Sequence, residues 1–513
     1  MLGCDEVFAW FEGNIQMSGG RMKQLTAEER AFFDLVGRAV LANPFGAERA
    51  EIDDLIAKLY STEKGQTSVD LAVQEVERRV HRMEQQGRAG VAQYQGEDRQ
   101  KLFYALLFLF FHLYAPRLDE LIVEQLADGD RDMPVPFAKE MIAWLSGHGF
   151  THPESLRYLE ITFQIRRAFF FIRQNLVGRS PCMRQLREKL WNNVVTHNLD
   201  WYERYLWNRM EDFSTLLLGP TGAGKGTAAA AIGRSAYIPF DEKKGCFVIS
   251  FASSFTALNL SQFPEALIES ELFGHKKGAF TGAVEDYKGV FQRCSPYGAI
   301  FLDEIGEVRQ NIQIKLLQVL QERSFTPVGS HQHQRFSGRI IAATNRPLEE
   351  LRANKILRDD FFYRLSSDVI EIPSLAQRIQ EDPVELEDLL NHTVDRILGN
   401  PTAELKALLL KAITKQLGTD YSWPGNVREL EQCVRQVLLN RTYKPWLSAA
   451  PATARDRMAA GMAQGTLDAQ ALLTGYCFCL YQRLGTYEAV SRQVQLDRRT
   501  VKKYIEEGKE RFG

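Results

Sequence analysis

Two short stretches of the chain bring together residues able to handle phosphate. In LLLGPTGAGKGT an aliphatic run enters a glycine-rich turn, and an alanine-rich run follows. Gly219, Gly224 and Lys225 fit the spacing G-x-x-x-x-G-K. Such a loop, here Gly219, Pro220, Thr221, Gly222, Ala223 and Gly224, turns backbone N–H groups onto phosphate, helped by the helix start behind it, and Lys225 neutralises the β/γ charge. Gly226 stands where a serine or threonine usually meets Mg²⁺, so whether Thr227 reaches the metal stays open. The second stretch, AIFLDE, is an apolar run ending in two carboxylates. Asp303 suits the Mg²⁺ shell and Glu304 the polarising of an attacking water. Asp-Glu after a strand is common by itself; following a phosphate loop it is specific.

Further polar groups stand at element ends. RIIAATN places Thr344 and Asn345 where a side chain positions a γ-phosphate or water, or simply caps the strand. Arg358 and Arg364 in LRDDFFYRL suit charge supplied to a neighbouring subunit's γ-phosphate, although surface arginine is the commoner explanation. In WPGNVREL a turn precedes Arg428 in the first helical turn, where a cation opposes the helix dipole. That placement suggests a task such as meeting nucleotide phosphate. ESELFGHKKGAFTGA carries Phe280 and Thr281 between Gly278 and Gly282, on residues that turns favour for their positive φ.

These groups need elements to hold them. At 513 residues the chain is long enough for roughly two to four domains. Apolar content of 45% with 25% charged residues is that of a soluble globular protein. Lys plus Arg (63) nearly balances Asp plus Glu (65), so no global charge argues for nucleic acid or membrane. Seven scattered cysteines suit a reducing cytosol, and no secretory leader is indicated. The most apolar segment, LFYALLFLFFHLYA, falls short of the ~20 residues that span a bilayer and is expected to be a buried helix closed by Pro116.

Residues 1–175 read as helical throughout, beginning with the capping box TAEE at Thr26 to Glu29. From about Leu176 the apolar runs STLLLG, FTALNL, GAIFLDE and RIIAATN alternate with helical segments, which predicts a parallel sheet covered on both faces. Helical texture returns over 372–440, a looser stretch over 441–465 reads as a linker, and 466–513 reads as a compact helical module. In TYEAVSRQVQLDRRTVKKYIEE two short helices surround a tight turn, with Ala489, Val490, Val494, Leu496, Val501 and Ile505 facing inward. Arg498, Arg499, Thr500, Lys502 and Lys503 lie on the second helix, which suits insertion into a DNA major groove or a solvated basic face. Residues 481–513 carry eight Lys/Arg against five Asp/Glu, a local excess that favours the first reading.

Together these motifs resemble one family. From about Val177 to Asn440 the chain is similar to the AAA+ ATPase domain of bacterial activators of sigma-54 RNA polymerase. The resemblance runs through LVGRSPCM, the phosphate loop, ESELFGHKKGAFTGA, FLDEIGEV, KLLQVLQE, IIAATNRPL, FFYRLSSDVIEIPSL and WPGNVRELEQCV, in the family's order. It implies an α/β AAA+ core to about residue 371 with a helical lid over 372–440. It also implies ATP and Mg²⁺ as cofactors, and a ring, usually hexameric, whose sites are completed by neighbours. Gly278, Ala279, Phe280, Thr281, Gly282 and Ala283 would form the loop that contacts sigma-54. Asn259 would restrain the catalytic Glu304, Arg358 and Arg364 would be the arginine fingers, and Arg428 the second sensor. The C-terminal module resembles the family's helix-turn-helix, so the expected partners are sigma-54 holoenzyme and double-stranded DNA upstream of promoters, in the cytoplasm, with no membrane. The 1–175 region would regulate.

The sequence departs from the family pattern at GKG, at PSLAQRIQED, and in YIPFDEKKGCFVISFASS, which is longer than usual. A DNA-binding regulator whose ATP site serves assembly only, and a remodeller of another protein, are the alternatives.

Overall fold

A computed structural model describes residues 22–60, 67–399, 401–418, 421–445, 454–463 and 465–512. The expected absence of a leader, and residues 446–453 of the expected linker, lie outside these residues. The chain divides into two compact units, one of residues up to 410 with 425–431, the other of 411–424 with 432 onward.

The first unit opens with helices α1 (Ala27–Leu41), α2 (Ala47–Tyr60), α3 (Ser68–Gln85), α4 (Gly96–Asp128), α5 (Ala138–Gly147), α6 (His152–Asn175) and α7 (Pro181–Val195). The capping box starts α1 as expected: Glu29 N donates to Thr26 Oγ1 at 3.1 Å and Thr26 N to Glu29 Oε2 at 2.8 Å. Thr151 and Glu154 repeat the device at the start of α6.

The expected helix end at Pro116 is not found, because α4 runs through it to Asp128. Pro116 removes one N–H from the helical ladder. Past it, however, Leu118, Leu121 and Ile122 are buried, and ending the helix at the proline would return that apolar surface to water.

Five parallel strands follow in the order β4-β5-β8-β1-β9: β1 (Thr215–Leu218), β4 (Phe255–Asn259), β5 (Ala299–Asp303), β8 (Arg339–Thr344) and β9 (Asp368–Glu371). Four of these are the apolar runs read from the sequence; edge strand β9 is an addition. Alternate side chains enter two cores. Leu217, Phe301, Ile341 and Ala343 join the core shared with the N-terminal helices, while Leu216, Ile300, Leu302 and Ala342 face the opposite one. Helix α8 (Lys225–Gly233) leaves the phosphate loop and packs on the first face, its Ala228, Ala229 and Ala231 fully buried.

The long segment 237–254 holds the small hairpin β2 (Phe240–Asp241) and β3 (Cys246–Phe247), and it meets α6. Phe163 stacks on Phe247 with centroids 4.2 Å apart, and Phe171 meets Phe251 edge-on at 5.6 Å. Glu160 Oε1 accepts from Phe240 N at 2.8 Å. Arg167, wholly buried, donates to Arg234 O (2.7 Å) and Ala236 O (2.8 Å), just past the carboxyl end of α8. Burial pushes its guanidinium down to about 9. The cation is compensated by the partial negative charge of a helix C-terminus and by the Phe163 ring 4.6 Å away.

A second hairpin, β6 (Ser324–Phe325) with β7 (Gln334–Arg335), follows α10 (Gln310–Glu322); α9 (Glu265–Phe273) precedes β5. Beyond α11 (Asp359–Leu365) and β9 come α12 (Leu375–Glu381), α13 (Glu385–Leu398), α14 (Ala403–Leu417) and α15 (Asn426–Asn440). The second unit ends with α16 (Ala454–Ala463), α17 (Ala469–Leu484), α18 (Tyr487–Val494) and α19 (Arg498–Phe512), around Phe478, Val490, Val501 and Ile505. Val494 and Leu496 pack against this cluster. Among the described residues no helix is long and apolar enough to cross a membrane.

Replacing Arg167 with alanine removes the donor to two carbonyls. The variant is expected to lose about 3 kcal/mol in urea unfolding; a loss under about 0.5 kcal/mol would show that water replaces the side chain without penalty.

Candidate functional site

Parallel pairing puts the carboxyl ends of β1, β5 and β8 on one side of the sheet, and the candidate residues extend from those ends. The phosphate loop turns through positive φ at Gly222 (79°) and Gly224 (111°) before α8 begins. Lys225 Nζ folds back onto Gly219 O at 2.8 Å and Pro220 O at 3.3 Å. Burial lowers its affinity for a proton, and this is opposed by the charges of Glu304 and Asp303 and reinforced by Arg428. One ammonium therefore senses both carboxylates of β5 and the arginine of α15.

Asp303 ends β5 and Oδ1 accepts from Glu304 N at 3.1 Å. Glu304 has φ 57° and ψ 47°, a conformation that costs a non-glycine residue energy. That turn takes the backbone out of the strand at the position where the carboxylate must leave the sheet. Asn259 stands opposite Asp303 in the β4–β5 register. Its Oδ1 accepts from Ser261 N (3.0 Å) and Ser261 Oγ (2.7 Å), so here it caps its own turn rather than holding Glu304. Thr344 is buried at the end of β8 and accepts from Arg346 N at 3.2 Å. Asn345 Nδ2 donates to Thr221 Oγ1 at 3.2 Å, which brings β8 to the phosphate loop.

Asn426, which sequence reasoning passed over, completes the junction. Buried, with φ 54°, it donates from Nδ2 to Thr221 O at 3.0 Å and accepts from Leu375 N at 2.8 Å through Oδ1. One amide thus fastens the phosphate loop to the starts of α12 and α15. The signal was present in Pro-Gly-Asn, since asparagine tolerates left-handed backbone better than most residues. Arg428, two residues on, is exposed.

Glu385 was also missed. It is fully buried and accepts from Arg378 and from the backbone N–H groups of Arg179 and Ser180 at 3.3 Å, tying the LVGRS segment to α13.

Two expected site residues lie apart from this group. Arg358 caps α11 and is bidentate to its neighbour Asp360 at 2.7 and 3.0 Å, and Arg364 is exposed on the same helix. Neither shares a hydrogen bond with the phosphate loop among the described residues.

The 275–287 loop stands on its own supports. His275 and Tyr287 exchange backbone hydrogen bonds of 2.9 Å, and Lys276 Nζ donates to Asp286 at 2.7 Å. At the tip Gly278 N donates to Ala283 O at 2.8 Å. Gly278 (φ 81°) and Gly282 (φ 102°) have open space around them, and Thr281 is exposed. Phe280, 37% exposed, lies edge-on to His275 at 4.9 Å. Lys276 N also donates to Val328 O, so the β6–β7 hairpin props the loop.

In the second unit Asp497 Oδ1 accepts from Arg499 N (2.9 Å) and Thr500 N (3.0 Å), which starts α19. Gln495 takes the left-handed turn position at φ 55°. Arg498, Arg499, Lys502 and Lys503 are exposed on α19, with Arg498 paired to Glu488 at 2.9 Å.

A side chain at Gly222 would meet both the lid turn and its own strained φ: a Cβ there lies 2.4 Å from Gly425 O. Gly222→Ala is expected to weaken binding of a fluorescent nucleotide analogue at least about tenfold with an unchanged circular dichroism spectrum. Wild-type affinity would show that the loop and the 425–428 turn do not act together.

Comparison with known proteins gives the site its context. The Sigma-54 interaction domain matches residues 199–372. The Nif-specific regulatory protein of Azotobacter vinelandii is 36% identical over 285 residues, 54% of this chain and 46% of that protein. Transcriptional regulatory protein GlrR of Escherichia coli (strain K12) is 38% identical over 266 residues, 51% of this chain and 52% of that one. A third relative, described as an uncharacterized protein in HyuA 5'region of Pseudomonas sp. (strain NS671), is 38% identical over 231 residues, 44% of this chain and 71% of its own length. The chain thus spans about half the length of the first two. Among solved structures, NtrX from Brucella abortus aligns over 73% of this chain and 80% of that one, at 21% identity and a TM-score of 0.37. With its parallel-sheet core and a matched Sigma-54 interaction domain, the chain belongs to the sigma-54-dependent transcriptional activators.

Proposed function

We propose that this protein hydrolyses ATP in a homo-oligomeric ring, six-membered by the family's habit, and uses the energy to remodel the sigma-54 RNA polymerase closed complex. The observation that carries the reading is the phosphate loop and Lys225 at the end of β1, on the side of the sheet where β5 ends in Asp303 and Asn345 of β8 meets Thr221, in a chain with an intact GAFTGA tip.

On this reading the β- and γ-phosphates take over Lys225 Nζ from the carbonyls of Gly219 and Pro220. Their negative charge favours the ammonium that burial disfavours. Asp303 is a hard oxygen donor at the strand end, one oxygen occupied by Glu304 N, and would hold Mg²⁺. When bound, Mg²⁺ neutralises phosphate charge. Glu304 orients the attacking water and accepts its proton, Thr344 and Asn345 hold the γ-phosphate side, and Arg428 meets phosphate in the same chain. Asn259, one strand away, restrains Glu304 in another nucleotide state by leaving Ser261. Arg358, at the start of α11, and Arg364, exposed on that helix, serve the neighbouring subunit's site.

The Phe280-Thr281 tip presses on sigma-54. The helix-turn-helix (466–513) holds upstream DNA through Arg498, Arg499, Thr500, Lys502 and Lys503; α16, within the stretch expected to be a linker, packs into the same core through Ala454 and Met458. The 1–175 helices regulate the engine, in the cytoplasm.

Glu304→Gln is expected to keep ATP binding and lower turnover about 10²-fold or more in a phosphate-release assay. For the partner, purified protein is mixed with sigma-54 with and without ADP–aluminium fluoride. Capture only with the mimic, lost in Thr281→Ala while ATP turnover persists, is the expected result. Turnover without capture in any state would leave an ATPase acting on something else.

A further inference from the structure

Helix α8 carries the phosphate loop at its amino end, and its far end is held by α6, a helix that precedes the matched Sigma-54 interaction domain. Glu160, Gln164 and Arg167 fall at i, i+4 and i+7, on one face of α6. Gln164 Nε2 donates to Ser235 O at 3.1 Å, between the carbonyls of Arg234 and Ala236 that Arg167 holds. Tyr202 OH donates to Gln164 Oε1 at 2.7 Å, which turns the amide nitrogen toward Ser235. Glu160 takes the Tyr237 hydroxyl and Phe240 N just beyond. Three successive carbonyls past α8 therefore end on two buried side chains of one neighbouring helix.

These contacts are not needed to close α8 itself. Arg234 N donates to Ala230 O at 3.0 Å, Ser235 N to Ile232 O at 3.1 Å and Ser235 Oγ to Ala231 O at 2.6 Å, so the last turn is satisfied locally. What α6 adds is a fixed place for that end. The sheet does less to supply one. Helix α8 buries Ala228, Ala229 and Ala231, and at Gly233 a Cβ would lie 2.3 Å from Phe255. Such small residues set the distance between helix and sheet, but with Ile232 the one large apolar side chain they offer few ridges to fix α8 along its axis. The amino end is also free to turn. Asn345 and Asn426 hold Thr221, yet Gly222 and Gly224, both at positive φ, stand between Thr221 and Lys225.

We propose that Gln164 and Arg167 are positioning residues of the nucleotide site: by holding the carbonyls of Arg234, Ser235 and Ala236 they fix α8 along its axis, and so set Lys225 and the N–H groups of the first turn against phosphate. A helix of nine residues is about 13 Å long and stiff, so a shift at one end reaches the other. Hydrogen bonds to phosphate hold only over roughly 2.7–3.2 Å, which makes the site sensitive to such a shift. The inference rests on the nucleotide-binding part of the reading above, and it extends the site to a helix that touches no ligand.

Titration of the full chain with a fluorescent nucleotide analogue tests it. Gln164→Met and Arg167→Met, which keep the side-chain length and remove the donors, are each expected to bind the analogue about tenfold more weakly with an unchanged circular dichroism spectrum. Arg167→Lys, which keeps a donor and the positive charge, should recover most of that loss. Leu106→Ala truncates a fully buried residue of α4 and costs stability of a similar order, yet should bind as the wild type does. The proposal is overturned if either methionine variant binds like wild type, if Arg167→Lys recovers nothing, or if Leu106→Ala weakens binding as much. ATP turnover is measured alongside. Its absence in the wild type would sink the ATPase reading and leave the binding comparison standing, whereas wild-type turnover with equal binding across the series would sink the positioning role alone.

Discussion

Parallel strands cannot be joined by a tight turn, so the chain crosses back over the sheet after each one and every strand's carboxyl end falls on the same side. That constraint brings residues far apart in sequence to one place: the phosphate loop leaves β1, Asp303 and Glu304 leave β5, and Asn345 leaves β8. The order β4-β5-β8-β1-β9 sets Asn259 beside Asp303 and keeps β1 between β8 and β9. Asn426 arrives from outside the sheet, bonding Thr221 of the loop and Leu375 at the start of α12.

Three buried arginines of the first unit are compensated in three different ways. Arg339, buried and lowered by desolvation to about 10, donates to Asn193 Oδ1 at 2.8 Å and to the carbonyls of Phe213 and Asn193 at 3.0 Å. Arg167 relies on carbonyls and aromatic rings without a carboxylate. Arg378 meets the buried carboxylate of Glu385. Deleting one member of such an arrangement leaves a buried polar group unmatched, which costs more than the interaction contributes.

Much of this was legible in the sequence, and the misses have physical causes. The four apolar strands announced themselves because burial on both faces demands continuous hydrophobic residues. Strand β9 begins with Asp368 and sits at the edge, where one side needs no partner, so its pattern is weak. Helix α4 passes Pro116 because tertiary burial outweighs one missing hydrogen bond, and no local rule contains that comparison. The phosphate loop and the GAFTGA tip were readable from short-range spacing. The junction made by Asn426 was not, because its partners Thr221 and Leu375 lie far away in sequence. The hold of Gln164 and Arg167 on the end of α8 escaped for the same reason.

The 237–254 segment and helix α6 have a consequence for descent. Phe247 and Phe251 complete the packing of Phe163 and Phe171, while Glu160 and Arg167 satisfy backbone around that segment. Neither surface could be inherited alone without leaving aromatic rings in water and carbonyls unmatched. Recombination that grafted these N-terminal helices onto a related engine with a shorter segment would produce a chain unable to close its core. The hairpin and α6 thus depend on each other for burial and for hydrogen-bond partners.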